Sequence, residues 1–251
     1  MIIGAQKAGT TSLMRYLQSH PDVVCEPGVG EVHFFDLRYA QGEAFYRSYF
    51  PRRAKLQHLR ARTGRTTLTG EKTPYYLFHP LAAERAHAMI PQTKLIAILR
   101  DPVSRAASHH KMSVNMGVED LDLAAAIAAE PARIVPSLRA IVENGPWQEW
   151  RPAGLYSYVA RGRYAEQLDR WLTHYPREQL LVLRNEDLAQ EPAATYAKTV
   201  EFLGLSPHRP EFVRHNQARA PYAIDPGARE RLVELFREPN RRLEAEFGIS
   251  W

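Results

Sequence analysis

The chain has 251 residues, of which 45% are hydrophobic and 24% charged, and an excess of lysine and arginine gives a net charge of +5. This size fits one large α/β domain with a substantial core, so a single domain over residues 1–251 is predicted. The sequence has no apolar run near the ~18 residues of a membrane span, and no basic run interleaved with aromatic residues that would indicate nucleic-acid binding.

The single cysteine, Cys25, excludes an internal disulfide. Disulfides persist in oxidising compartments, so a lone cysteine is typical of a protein in a reducing one. No signal peptide is recognisable, although a strand that begins at the first residue hints that upstream residues are missing. The sequence therefore predicts a cytoplasmic location.

The first predicted elements are a strand over Met1–Gly4, a glycine-rich turn and a helix over Thr11–Ser19. Gly4 and Gly9 have the spacing of the two glycines of a P-loop. Backbone N–H groups in such a turn point toward one anion, and the helix N-terminus adds a partial positive charge. The predicted anion-binding residues are Lys7, Ala8, Gly9, Thr10, Thr11 and Ser12.

The lysine of this turn is not at the position that it has in the P-loop of a nucleoside triphosphatase, directly after the second glycine. Thr10 occupies that position and Lys7 lies inside the loop, which suits a phosphosulfate better than a magnesium triphosphate. Two other interpretations are an ordinary turn in which Thr10 or Thr11 caps the helix, and an ATP- or GTP-using P-loop enzyme. Such an enzyme needs an acid directly after a second apolar strand, whereas the best candidate, Leu95–Leu99, is followed by Arg100.

The next predicted elements are short strands near Val23–Val24 and over Thr67–Gly70 and a helix over Leu81–Met89. Two polar motifs lie between them. The motifs are Glu31-Val32-His33-Phe34-Phe35-Asp36 and Glu71-Lys72-Thr73-Pro74-Tyr75-Tyr76. From the residues alone, a carboxylate such as Glu31 is more often solvated or ion-paired than catalytic.

The fourth motif begins at Lys94, and the five apolar residues Leu95–Leu99 that follow it predict a buried parallel strand over Lys94–Leu99. Asp101 caps the following helix and Pro102 is its first residue. Arg100 then lies at the carboxyl end of a strand, where open α/β sheets bind ligands, and with Ser108 it would clamp a terminal phosphate. An Arg–Asp ion pair beside a helix cap is the alternative.

The remaining elements are mostly helical. Helices are predicted over 103–116, 122–129, 158–175, 193–203 and 226–247, and a strand over 179–183. The proline-rich stretch Gly117–Gly154 is predicted, apart from helix 122–129, to be a long loop that forms a lid or substrate wall. Arg161 and Arg163 are candidates to bind an anionic acceptor, but arginines that open a helix on a basic protein are more often solvated, and both are expected to be so. His109 and His110 are expected to be structural or to face the acceptor. The predicted fold is α/β, a P-loop-like, mostly parallel sheet flanked by helices with a helical C-terminal half.

The four motifs, in this order, resemble those of the sulfotransferases that use 3′-phosphoadenosine 5′-phosphosulfate (PAPS). The similarity is greatest to the heparan sulfate glucosaminyl O- and N-sulfotransferases and their bacterial relatives. It continues through Tyr164–Trp171, Phe202–Pro207 and Phe236–Asn240, and therefore covers nearly the whole chain.

The resemblance implies a role for each matching residue. Lys7 through Ser12 would hold the 5′-phosphosulfate, and Arg100 and Ser108 the 3′-phosphate. Glu31 would be the general base that takes the proton of the acceptor. Lys7 and Lys72 would stabilise charge at the transferred group. His33, with Asp36, would orient the base or the acceptor, and His33 is the rival base because an imidazole can do this work near neutral pH.

Two features depart from the family pattern. Near the C-terminus the family has a Lys-Gly-Arg turn over the 3′-phosphate, where this chain has Gln217-Ala218-Arg219, so Arg219 is a weaker candidate ligand. The vertebrate heparan sulfate enzymes also have a disulfide-closed loop before that turn, which a chain with one cysteine cannot form.

The sequence thus predicts in-line transfer of a sulfuryl group from PAPS to a hydroxyl or amine of a small-molecule or glycan acceptor. No metal is implied, because the transferred group carries one negative charge that lysines and backbone amides can stabilise. The alternatives are a P-loop nucleotide kinase or NTPase, which would require Mg²⁺, and a nucleotide-binding module without catalysis.

Overall fold

A parallel sheet of three strands forms the centre of the computed structural model, which describes residues 1–26, 30–144, 150–213 and 224–251. The strands are β1 (Ile2–Gly4), β2 (Leu95–Leu99) and β3 (Leu180–Arg184), in the order β1-β2-β3. β2 pairs with β3 in register along its whole length and is buried throughout, as its unbroken apolar sequence predicts. The predicted α/β class with a parallel sheet is confirmed.

The free edge of β1 is covered by the segment that contains Lys72. The N–H of Ile2 donates to Glu71 O over 2.9 Å, and the N–H of Thr73 donates to Ile2 O over 3.1 Å. The strands predicted near 23–24 and over 67–70 are wrong, because those segments form one isolated bridge between Val23 and Leu68. Two backbone hydrogen bonds hold that bridge, which is too short a ladder to make a strand.

Helices surround the sheet. They are α1 (Thr10–Gln18), α2 (Gly42–Arg47), α3 (Arg53–Thr63), α4 (Ala82–Met89), α5 (Pro102–Asn115), α6 (Leu123–Asn144), α7 (Trp150–Tyr156), α8 (Tyr164–Leu172), α9 (Asn185–Gln190), α10 (Pro192–Leu203) and α11 (Pro226–Phe247). A π-helical turn covers Phe34–Arg38. The predictions for α1, α4, α5, α10 and α11 are correct to within one residue at each end, whereas α2, α3, α7 and α9 were not predicted.

The loop predicted over Gly117–Gly154 is wrong, because α6 continues far beyond the predicted helix 122–129 with Pro131 and Pro136 inside it. An internal proline costs a helix about 3 kcal/mol. Apolar side chains at helical spacing on α6 are buried, and their burial offsets that cost. They are Ala126, Ile127, Ile134 and Ile141.

The helix predicted over Tyr158–Tyr175 is also shorter than expected, since α8 begins at Tyr164 after a 3-10 turn at Ala160–Gly162. Gly162 lies against α11, and a Cβ there would come within 2.5 Å of the Phe236 ring. Because Gly162 has no side chain, α11 can pack closely against this turn.

The two faces of β2 belong to different parts of the core, because successive strand side chains point to opposite faces. Leu95, Ala97 and Leu99 pack in the cluster that contains Trp171. Ile96 and Ile98 pack in the cluster that contains Leu13 of α1. None of the helices in the described ranges is both long and apolar enough to cross a membrane.

The predicted cap of α5 is present and gives a test of local stability. The Asp101 carboxylate accepts hydrogen bonds from the N–H groups of Val103 (3.3 Å) and Ser104 (3.0 Å), and Pro102 is the first helical residue. Asp101→Ala should lower the free energy of unfolding by about 1 kcal/mol, measured by urea denaturation. Asp120→Ala, at an exposed position, is the control and should change it by less than about 0.5 kcal/mol. Equal effects of the two substitutions would contradict the capping role.

Candidate active site at the carboxyl ends of the strands

The turn after β1 has the shape of an anion-binding loop. Lys7 and Gly9 have left-handed backbone conformations, with φ of 71° and 89°, and the N–H of Ala5 donates to Ile98 O of β2 over 2.7 Å. Gly9 is the N-cap of α1 and supplies no side chain, so neither Thr10 nor Thr11 caps the helix as the alternative interpretation required. The first N–H groups of α1 therefore remain available to an anion.

The other strand ends meet this loop. Arg100, directly after β2, donates from Nη1 to Lys7 O over 3.3 Å. Asn185, directly after β3, lies so close that a Cβ on Gly9 would be 2.4 Å from its side-chain nitrogen. Ser108 lies half-buried on α5, which begins two residues after Arg100. Arg219 lies outside the described residues.

Two further arginines lie behind the loop. Arg161 is 4% exposed, so the expectation that it is solvated is wrong. Its Nη1 donates to Gln6 Oε1 in the loop and its Nη2 to Gly154 O over 2.7 Å, while the guanidinium lies 4.5 Å from the centre of the Tyr75 ring. Arg105 is fully buried on α5 and donates to Tyr158 O. Apart from the apolar residues around them, no feature of the sequence indicates that either arginine is buried.

Neighbouring positive charges contribute to the lowered pKa values of Lys7 and Arg161. Burial, and then the charges of Arg100 and Arg105, lower the pKa of Lys7. Burial, with a smaller contribution from the charge of Arg105, lowers the pKa of Arg161 to about 10. A buried group of positive charges with mutual repulsion is a strong attractor for an anion.

Both histidines that follow Ser108 are buried, in agreement with a structural role. His109 packs edge-on against Tyr158, and His110 shares a 2.9 Å hydrogen bond with Leu121 O. Burial holds the pKa of His109 well below its ordinary value.

The second half of the site is a line of charged side chains that begins at the loop. Lys72 donates to Thr11 Oγ1 over 3.3 Å and to Glu31 Oε1 over 2.9 Å. The other Glu31 oxygen lies 3.2 Å from His33 Nε2, and His33 Nδ1 lies 2.6 Å from Asp36 Oδ2. The predicted residues Lys72, Glu31 and His33 are thus brought together although they come from separate segments.

The protonation states in this line differ from those of isolated side chains. Burial lowers the pKa of His33, but hydrogen bonds and charges from Asp36 and Glu31 outweigh it and raise the pKa to about 9. For Glu31, burial raises the pKa, but His33 and Lys72 outweigh it, so the pKa lies below its usual value. At neutral pH the carboxylate is therefore ionised and able to accept a proton, whereas the imidazole already carries one.

A cavity of about 240 Å³ opens beside Lys72. One wall is the face of α1 that carries Thr11, Met14, Arg15 and Gln18, at the spacing of successive helical turns. Cys25, Glu26, Tyr49 and Gly70 also line the cavity. Among the described residues, no group of three or more histidine, cysteine and acidic side chains could hold a metal ion.

Comparison with known proteins gives matches over most of the chain. The model of the sulfotransferase domain matches residues 1–220. The chain is 36% identical to human heparan sulfate glucosamine 3-O-sulfotransferase 6 over 208 residues, 82% of this chain and 52% of that protein. It is 30% identical to mouse bifunctional heparan sulfate N-deacetylase/N-sulfotransferase 3, over 83% of this chain and 22% of that protein. The chain thus spans about half the length of such 3-O-sulfotransferases.

Two solved structures have the same fold. A sulfotransferase from Alicyclobacillus acidocaldarius superposes with a TM-score of 0.71 at 29% identity, covering 100% of this chain and 95% of that one. Mouse sulfotransferase SULT7A1, solved in complex with PAP, superposes with a TM-score of 0.51 at 15% identity, covering 97% of this chain and 84% of that one. At that identity the second likeness concerns the fold alone.

The raised pKa of His33 can be measured directly. In a ¹⁵N NMR titration His33 should lose its proton near pH 9, and the nine other histidines of the chain serve as internal references. Asp36→Asn removes the charge next to Nδ1 and should lower that midpoint by roughly one unit or more. A His33 midpoint near 6.5 in the unmodified protein would show that the line of charges does not hold the imidazolium.

Proposed function

Since this chain belongs to the sulfotransferase domain family, we propose that it transfers a sulfuryl group from PAPS to a hydroxyl or amine of an acceptor. The observation that carries the proposal is the contact between two halves of the site. The anion-binding loop reaches the ionised Glu31 carboxylate through Thr11 and Lys72. A donor phosphosulfate and a proton acceptor would therefore be neighbours.

The residues of the first half fit an anionic donor of this kind. The N-terminus of α1 has no side-chain cap, and Lys7, Arg100, Arg105 and Arg161 surround the loop with buried or half-buried positive charge. Lys7 through Ser12 would hold the 5′-phosphosulfate. Arg100 and Ser108, with Arg219 as a further candidate, would hold the 3′-phosphate. The donor supplies the activated sulfuryl group, and the protein binds and orients it.

The residues of the second half fit proton removal from the acceptor. Glu31 takes the proton as the acceptor oxygen or nitrogen attacks sulfur. His33 donates to Glu31 and is held in turn by Asp36, so it orients the carboxylate. The ammonium groups of Lys7 and Lys72 stabilise the negative charge that develops on the transferred and departing oxygens.

The acceptor would enter beside Lys72, where the cavity along α1 opens. The curated relatives are named for heparan sulfate glucosamine, and a glycan is one candidate acceptor for this chain. A small molecule is the other, since a cavity of about 240 Å³ accommodates a compact group. A cytoplasmic location remains a proposal that rests on the lone cysteine.

The donor assignment predicts a selective thermal shift. 3′-Phosphoadenosine 5′-phosphate at 100 times its dissociation constant should stabilise the protein by about 2.7 kcal/mol. ATP should stabilise it much less, because it offers Arg100 and Ser108 no 3′-phosphate. Equal stabilisation by ATP with Mg²⁺ would favour a nucleotide kinase instead.

Arg100→Ala tests the 3′-phosphate clamp. The loss of one charged contact of roughly 1.5–3 kcal/mol should weaken bisphosphate binding by about 10- to 100-fold in isothermal titration calorimetry. Arg237→Ala, which removes an exposed arginine on α11, is the control and should leave the affinity unchanged. An unchanged affinity in Arg100→Ala would place the clamp elsewhere.

The assignment of the base is tested by Glu31→Gln. The amide keeps the size of the carboxylate but cannot accept the proton, so turnover of ³⁵S-labelled PAPS should fall by about 10²–10⁴-fold with donor affinity intact. His33→Asn should lower turnover less, because His33 only orients the carboxylate. Near-normal turnover in Glu31→Gln, together with inactive His33→Asn, would transfer the role of base to His33.

A further inference from the structure

The segment that carries the base has an unusual backbone. His33 lies in the left-handed region with φ of 51° and ψ of 41°, and a π-helical turn begins at the next residue. A residue other than glycine in this region costs roughly 1–2 kcal/mol, and it persists only where neighbouring groups fix it. Contacts other than those of the Glu31, His33 and Asp36 side chains must therefore hold the backbone of this segment.

Two buried hydroxyls accept the N–H groups of this segment. Thr73 Oγ1 accepts from the N–H groups of Val32 (3.1 Å) and His33 (3.3 Å). The Tyr76 hydroxyl accepts from the N–H groups of Phe34 (2.8 Å) and Phe35 (3.4 Å). Four successive N–H groups thus depend on two side chains of one other motif.

Glu71 fixes the direction of both hydroxyls. Its Oε2 accepts from Thr73 Oγ1 over 2.8 Å, and its Oε1 accepts from the Tyr76 hydroxyl over 3.2 Å and from Tyr46 over 3.1 Å. A hydroxyl has one proton to donate, so donation to Glu71 leaves only its lone pairs to face the N–H groups. Glu71 is 3% exposed, and such a buried carboxyl is costly unless it is well hydrogen-bonded.

The same residue is also tied to the sheet. Its carbonyl accepts the 2.9 Å hydrogen bond from the N–H of Ile2, and the next residue, Lys72, contacts the base. The backbone of Glu71 is thereby fixed at the edge of β1, and its side chain reaches the segment that carries Glu31 and His33.

We propose that Glu71 is a positioning residue for the reaction. Through the Thr73 and Tyr76 hydroxyls it holds the backbone of residues 32–35 at a fixed place relative to the anion-binding loop. The contacts of Glu31 with Lys72 and of His33 with Asp36 depend on that placement. The proposal rests on the proposed function only for its kinetic consequence.

The structure offers matched substitutions to test this role. Thr73→Val and Tyr76→Phe each keep the shape of the side chain but remove the hydroxyl between Glu71 and the N–H groups. Tyr175→Phe is the control, because it removes a buried hydroxyl that donates instead to Ile90 O. Glu71→Gln keeps the size of the side chain but replaces one of its two accepting oxygens with an NH₂ group that can only donate. The two hydroxyl variants decide the role of Glu71 if that variant does not fold.

The first measurement is the NMR titration midpoint of His33, which requires no turnover. Thr73→Val and Tyr76→Phe should lower it by roughly one pH unit, because a displaced imidazole loses part of its contacts with Asp36 and Glu31. Tyr175→Phe should leave it in place although the protein becomes less stable. An unchanged midpoint in both hydroxyl variants would overturn the proposal and leave the proposed function intact.

The second measurement separates turnover from donor binding. Turnover should fall roughly tenfold or more in Thr73→Val and Tyr76→Phe, since a small displacement of a catalytic group has effects of this size. The affinity for 3′-phosphoadenosine 5′-phosphate should remain within about twofold. A fall in turnover equal to that of Tyr175→Phe would identify a purely structural role. If neither the unmodified protein nor any variant transferred sulfate, the proposed function would fail. The NMR titration of His33 would still decide the role of Glu71.

Discussion

The backbone hydrogen bonds between β1 and β2 are the interaction on which the rest of the structure depends. They place the end of β1 beside the end of β2, so that the loop after Gly4 lies against Arg100. The bond from Ala5 to Ile98 carries this pairing beyond the strand into the loop itself. Because β2 is buried on both faces and paired on both edges, its position is fixed by the whole core. The loop and Arg100 follow directly from these strands, so their positions are fixed by the sheet as well.

Those parts of the fold that depend on local signals could be predicted from the sequence. The apolar run of β2, the cap at Asp101 and the glycine spacing of the first loop each have a physical cause within a few residues. The length of α6 could not be predicted in this way, because the burial of one helix face against distant elements outweighs its two prolines. Strands were predicted at the bridge between Val23 and Leu68 for the converse reason, since a short run of β-branched and apolar residues does not ensure a partner along its length.

The same distinction between local signals and long-range contacts applies to the site. Motifs identified Lys72, Glu31 and His33 as candidates, but their order in space depends on long-range contacts between the segment at 31–36 and the edge of β1. The burial of Arg161 was missed because a charged residue is normally expected at the surface. Its guanidinium instead lies between aromatic rings and a glutamine of the loop. Burying these cations without a counter-charge costs stability, and an anion bound at the loop would offset part of that cost.

The line from Lys72 to Asp36 alternates in formal charge, with a cation, an anion, a cation and an anion in succession. Its sum is zero while Glu31 is ionised. A proton taken up by Glu31 gives the cluster one unit of positive charge in a half-buried place, next to a loop that is itself positive. This excess favours rapid loss of the proton to solvent. In the proposed reaction, the arrangement that keeps the Glu31 carboxylate ready to accept a proton would therefore also restore it after each cycle.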